Sequence, residues 1–165
     1  MPDPNARFAD ALSAAPTRSR GFDALGTLVA DTLATRLFTV MTLDHARGLA
    51  RRAWSNRPDA YPVSGEKEIE SNPWYAQVVE RGEPFVANTL AAIAEVFPDA
   101  ELIGSLGCAS VLNLPVTRRG QVVGTLNLLE GQDHFTPDRV AEARALLTLP
   151  ALACFLLPPG GSDPT

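Results

Sequence analysis

The chain has 165 residues, 45% hydrophobic and 20% charged, which is enough for one domain with a genuine core. A formal net charge of −5, with adjacent basic residues only at Arg51-Arg52 and Arg118-Arg119, argues against a nucleic-acid partner. Two cysteines, Cys108 and Cys154, make no disulfide framework, no apolar signal segment precedes Pro16, and the longest apolar run (Ala145 to Leu157) is too short for a bilayer, so a cytoplasmic protein with no membrane partner is expected.

Phe8, Leu12 and Ala15 recur at helical spacing and predict a short helix over Asn5 to Ala15. Pro16 to Arg20 is a break. Phe22, Leu25, Leu28, Val29 and Leu33 then form the stripe of a second helix, Gly21 to Thr35. Arg36 to Leu43 is apolar and β-branched on both parities, as in a central strand. Asp44 to Gly48 is a turn with a solvated His45, and Leu49 to Ser55 returns as an outer strand. Asn56 to Ser71 is a long connection whose Tyr61-Pro62-Val63 is expected to fold back on the body.

Ser71 or Asn72 then caps a helix with Pro73 at its first position, Trp74, Tyr75, Val78 and Val79 on its buried face, and Gly82 at its stop. Pro84 opens a short strand through Phe85 and Val86. Thr89 caps a helical stretch from Leu90 to Phe97, and Asp99 to Leu106 forms another turn or two before Gly107. Near the C-terminus, Thr136-Pro137 repeats the cap-then-proline start. Val140 to Leu157 is greasy nearly all round in its second half, and Pro150 is expected to kink or divide it near Leu146. Pro158 to Thr165 reads as a disordered tail.

Two β-rich runs, Cys108 to Thr117 and Val122 to Glu130, flank Arg119-Gly120-Gln121 and predict an antiparallel hairpin with a three-residue loop. That register sets Leu112 opposite Leu128, Leu114 opposite Leu126 and Val116 opposite Gly124. The other face carries Val111 with Leu129, Asn113 with Asn127, Pro115 with Thr125 and Thr117 with Val123. The leucine face should meet helices. The two amides either satisfy each other across the strands or turn toward backbone, water or a ligand, since an unpartnered buried amide costs about 1–3 kcal/mol.

The order of elements resembles that of a GAF domain. Leu112-Asn113-Leu114-Pro115-Val116, Gly120, Val123-Gly124-Thr125-Leu126-Asn127-Leu128 and His134-Phe135-Thr136-Pro137 closely resemble that family's final hairpin and closing helix, and Trp74 to Val86 resembles its middle helix and third strand. The resemblance covers 21–157, leaving 1–20 as an N-terminal helix and linker and 158–165 as the tail. It implies an α+β fold with a GAF-like (profilin-like) antiparallel sheet of five or six strands. The terminal helices would pack on one face, and a helix and loops would roof a small-molecule pocket on the other. It also implies a homodimer through the terminal helices. The cyclic-nucleotide pattern of some members is not found, since Thr136-Pro137-Asp138-Arg139 follows Phe135, and neither cysteine has the adjacent histidine of bilin-binding members.

Three functions follow as alternatives. The first is a sensory or regulatory module that binds a small molecule at Trp54, Tyr61, Trp74, Tyr75, Phe85, Cys108, Ser110, Asn113, Asn127 and Leu129, with the amides orienting the ligand and the aromatics stacking on it. The second is a redox enzyme similar to free methionine sulfoxide reductase, using Cys108; the position of one of that group's cysteines is Gly104 here. The third is a dimerisation module without a ligand. No catalytic residue, metal ligand or cofactor is assigned.

Overall fold

Local chemistry sets the helix starts. In a computed structural model, which describes residues 2–63 and 65–160, α1 (Pro4–Ser13) opens where the Asp3 carboxylate accepts from the Ala6 amide at 3.0 Å. Helix α2 (Arg18–Thr32) begins after an extended Thr17, three residues earlier than the apolar stripe implies. Strands β1 (Leu37–Asp44) and β2 (Leu49–Ser55) follow as a hairpin. Within the long connection lies a short strand that the sequence did not suggest, β3 (Glu66–Glu68). Glu-Lys-Glu has no β-forming side chain; it is an exposed sheet edge, and charge suits an edge.

Asn72 caps α3 (Pro73–Tyr75), which widens into a π-helical segment, Ala76–Glu80. Gly82 ends it at φ 66°. Then come β4 (Phe85–Ala87), α4 (Leu90–Ala94) capped by Thr89, α5 (Ala100–Ser105), β5 (Ser110–Arg118), β6 (Gln121–Glu130) and α6 (Pro137–Leu156). Helix α6 runs through Pro150 undivided. Its buried residues Ala143, Leu147, Ala151, Cys154 and Phe155 lie on both sides of the proline, so packing holds the helix across the lost hydrogen bond. Pro158 is tied down, its carbonyl accepting from the Arg18 amide at 2.8 Å. Of the expected tail, 161–165 lie outside the described residues.

The strands form one open antiparallel sheet of six, in the order β3-β2-β1-β6-β5-β4, giving the expected α+β architecture. The pairings Leu112–Leu128, Leu114–Leu126, Val116–Gly124, Val111–Leu129, Asn113–Asn127 and Pro115–Thr125 all hold. The loop differs. Thr117 meets Val122 and Arg118 meets Gln121, so only Arg119 and Gly120 turn, at φ 53° and 78°. A bulge at Val123 supplies the missing residue and restores the register that a three-residue loop would have set.

Helices α1, α2 and α6 cover the leucine face. Phe22 and Phe155 meet edge to face at 5.2 Å above Leu112, Leu126 and Leu128, and Phe8 joins the same core from α1. Gly124 makes this approach possible. A Cβ there would stand 2.3 Å from the Met41 carbonyl oxygen and 2.5 Å from the Phe155 ring. Gly124→Ala is therefore expected to destabilise the fold by about 1–3 kcal/mol or more, read as a lower urea midpoint at unchanged slope.

Candidate functional site

The opposite face of the sheet is laid out in rows across the strands. One row runs Leu37, Leu129, Val111, Ala87. The next runs Thr39, Asn127, Asn113, Phe85. A third runs Arg52, Met41, Thr125, Pro115, and Lys67, Ala50 and Leu43 make a fourth. An apolar row thus lies on one side of the polar one and a mixed row on the other, and α3 with the π-helical segment, together with the stretch from Val96 to Ile103, stands over them. Between floor and roof is a hollow of about 710 Å³.

A directed chain of hydrogen bonds crosses the polar row. The Trp74 indole, which can only donate, gives its Nε1–H to Asn113 Oδ1 at 2.9 Å. That fixes the amide's orientation, so Asn113 Nδ2 donates to Asn127 Oδ1 at 2.8 Å. Asn127 Nδ2 in turn donates to Thr39 Oγ1 at 3.2 Å, while the Thr125 hydroxyl donates to Asn127 Oδ1 at 3.1 Å. The two amides pair with each other and also face the hollow. Of the readings the sequence left open, the pairing across the strands is the one the structure contains.

Tyr61 folds back onto the body, buried beside the hollow, and its hydroxyl donates to the Asp99 carboxylate. Burial first, then that hydrogen bond, pushes the phenol well above its usual range and keeps it protonated. The Arg52 guanidinium lies 4.6 Å from the Tyr61 ring centroid and donates to the Pro62 carbonyl at 3.3 Å.

Of the expected site residues, Tyr61, Trp74, Tyr75, Asn113, Asn127 and Leu129 border the hollow. Four do not. Trp54 lies on the helix face, because a bulge at Ala53 sets Trp54 opposite Val40 but Arg52 opposite Met41. Its ring packs 5.6 Å from Phe38 over Gly26, with Nε1–H donated to Asp23 at 2.8 Å. Ser110 has the parity of Leu112 and donates to the carbonyls of Glu130 and Gly131. Phe85 sits at the outer end of its row, edge-on to Phe97 at 6.0 Å, and Phe97 borders the hollow instead.

Cys108 precedes β5 and is buried in the small cluster with Leu37, Tyr61 and Ile103. Burial, reinforced by Glu130, pushes its thiol up, away from the thiolate a nucleophile needs. Cys154 belongs to the core on the other side of the sheet, where burial raises its thiol to about 12. Sequence reasoning also missed Thr39, Met41, Arg52, Lys67 and Asp99 around the hollow. Thr39 is found only through the β1–β6 pairing, and Arg52 only through the bulge. His45 is not simply solvated: its Nε2 lies 2.6 Å from the Val122 carbonyl.

A family model described as GAF domain matches residues 19–153. The chain belongs to the GAF domain family. Solved structures with the same fold include the GAF domain/HD domain protein of Geobacter sulfurreducens, with a TM-score of 0.70, 18% identity, and 88% of this chain and 97% of that one covered. The GAF domain of a two-component sensor histidine kinase from Bacillus halodurans aligns with a TM-score of 0.69 at 12% identity over 86% and 95% of the two chains. A type II free methionine-R-sulfoxide reductase from Thermoplasma acidophilum aligns with a TM-score of 0.62 at 15% identity over 86% and 94%. No curated protein sequence matches the chain. Among the described residues of this GAF domain, no helix is long and apolar enough to cross a membrane.

The amide pair is structural whatever else it does. Asn113→Leu leaves the Trp74 N–H unpaired over the floor and Asn127 Oδ1 with the Thr125 hydroxyl as its remaining donor. It is expected to cost about 1–3 kcal/mol in urea unfolding, whereas the solvent-facing Gln132→Leu should change stability by less than about 0.5 kcal/mol.

Proposed function

We propose that this GAF domain is a sensory or regulatory module that receives a small molecule in the hollow between the sheet and the Trp74 helix. The observation that carries the reading is the make-up of that hollow: a largely apolar floor crossed by one line of oriented amides, under a roof of Trp74, Tyr75 and Phe97. Apolar walls with a few placed polar groups are the usual composition of a ligand site. GAF domains are generally sensory or ligand-binding modules, and the sensor histidine kinase among its structural neighbours sits in that company. Redox catalysis through Cys108 is the weaker reading, because the likeness to the sulfoxide reductase extends to the fold and the buried thiol is pushed up.

The chain has two tryptophans, one on each face of the sheet, and they make an internal test. In amide NMR spectra against a fragment library, binders are expected to move the Trp74 indole signal and leave that of Trp54 in place. A library that moves neither, or both equally, overturns the receptor reading.

We also infer that the module acts as a homodimer through α6. Leu149 and Leu156, two turns apart on that helix, stand 75% and 61% exposed, an apolar stripe that a second copy would cover. Light scattering should give a dimer mass for the chain and a monomer mass for Leu149→Glu with Leu156→Glu, with the fold unchanged by circular dichroism. A monomer before mutation rules the dimer out. Two buried cysteines on opposite sides of the sheet, so placed that they cannot bridge each other, are compatible with a reducing, cytoplasmic setting.

A further inference from the structure

The hydrogen-bond chain on the floor has a direction, and direction has consequences for what it can accept. Each asparagine carries two amide hydrogens. Asn113 spends one on Asn127, and Asn127 spends one on Thr39. Thr39 accepts, so its own hydroxyl hydrogen remains to be donated onward. Because the indole at the head of the chain can only donate, the polarity cannot be reversed by flipping the amides together. Three hydrogens of the row are therefore taken up by no described residue, and the three side chains that carry them border the hollow. Asn127 Oδ1, by contrast, already accepts twice. Unspent donors in a sheltered site are harder to tolerate than unspent lone pairs.

A second observation, independent of the amides, concerns charge. The neighbouring rows bring Arg52 and Lys67 to the same face, Arg52 opposite Met41 and Lys67 opposite Ala50. Rows on one face are two residues apart along a strand, about 7 Å, so Arg52 on β2 lies one row and one strand from Thr39, with Asn127 one strand further on. Among the described residues neither cation makes a salt bridge. Arg52 is half-buried, and its Nε and Nη2 make no hydrogen bond among the described residues, Nη1 alone reaching Pro62. The carboxylates nearby are otherwise placed. Asp99 accepts from Tyr61, and Glu68 and Glu70 are exposed at the opening.

Taking the receptor reading as its basis, we infer that the ligand is a carboxylic acid with an apolar or aromatic body. Its carboxylate lies against Arg52 and the donors of Thr39 and Asn127. Its body lies on the row of Leu37, Leu129 and Val111 beneath Trp74 and Phe97. A planar, two-oxygen acceptor suits a guanidinium fork and a row of unspent N–H and O–H groups, and Lys67 adds long-range attraction at the mouth. An ammonium ligand placed on the floor meets the donors of Thr39 and Asn127 and the Arg52 guanidinium, while the exposed Glu68 and Glu70 lie at the opening, away from that seat.

The test uses three probes with one body: 3-phenylpropionate, 3-phenylpropionamide and 3-phenylpropylamine. Affinities for the whole chain are read from the Trp74 indole signal, with Trp54 as control. The carboxylate is expected to bind about tenfold tighter than the amide, and the amine weakest. Arg52→Gln should erase the preference of carboxylate over amide while amide binding persists, which separates loss of charge recognition from loss of the pocket. Thr39→Val should weaken both acceptor probes. Should the amide or amine bind as well as the carboxylate, or Arg52→Gln keep the preference, the acid inference falls and the receptor reading stands. Should neither these probes nor the wider library move Trp74, the receptor reading falls and takes the inference with it.

Discussion

The side-by-side pairing of Asn113 and Asn127 is the constraint on which the architecture of the open face depends. Two amides at the centre of a largely apolar sheet cannot be left to find partners by chance, since the stake for each is comparable to a sizeable share of a domain's stability. Their satisfaction needs Trp74 at one end and Thr39 at the other, from a helix and a strand far apart in the chain. The chain of bonds therefore ties α3 to β5, β5 to β6 and β6 to β1. It holds the roof at a set height above the floor. A core made only of leucines would bring the roof down onto the sheet, and the hollow would close.

Two bulges decide what each face of the sheet carries. The one at Val123 reconciles a tight two-residue turn with the register that puts Leu128 opposite Leu112. The one at Ala53 lets Trp54 and Arg52, residues of equal parity, serve opposite faces. Without the second, the two would share a face: either the guanidinium would join the indole under α2, or the indole would join the guanidinium over the hollow. The bulge gives each side chain the environment its chemistry favours: the indole packs on Phe38 and Gly26, and the guanidinium stacks on Tyr61 at the rim.

The two halves of the molecule are stabilised differently. Beneath the sheet, interlocked rings and the bare Gly124 backbone make a dense apolar core with no room for an added methyl group. Above it, a smaller cluster and a set of polar contacts, including the Tyr61 hydroxyl on Asp99, frame a hollow rather than fill it. A dense core below and a framed hollow above suit the proposed receptor, and α6, the helix of the proposed dimer, lies on the dense side.

The local features were open to reading in the chain itself: caps followed by proline, glycines at reversals, and the alternation that sent the leucines of the last hairpin one way and its asparagines the other. These depend on neighbours within a few residues, where side-chain period and backbone preference act directly. The membership of the polar row was half legible, since Asn113 and Asn127 share a hairpin while Thr39 reaches them only by a long-range pairing. The three-dimensional arrangement alone determined that Arg52 faces inward and Trp54 outward, that Ser110 and Cys108 lie away from the hollow, and that Glu-Lys-Glu is a strand. A bulge is invisible to periodicity because it is a one-residue fault in the period, and an edge strand of charged residues exists only because β2 offers it a partner.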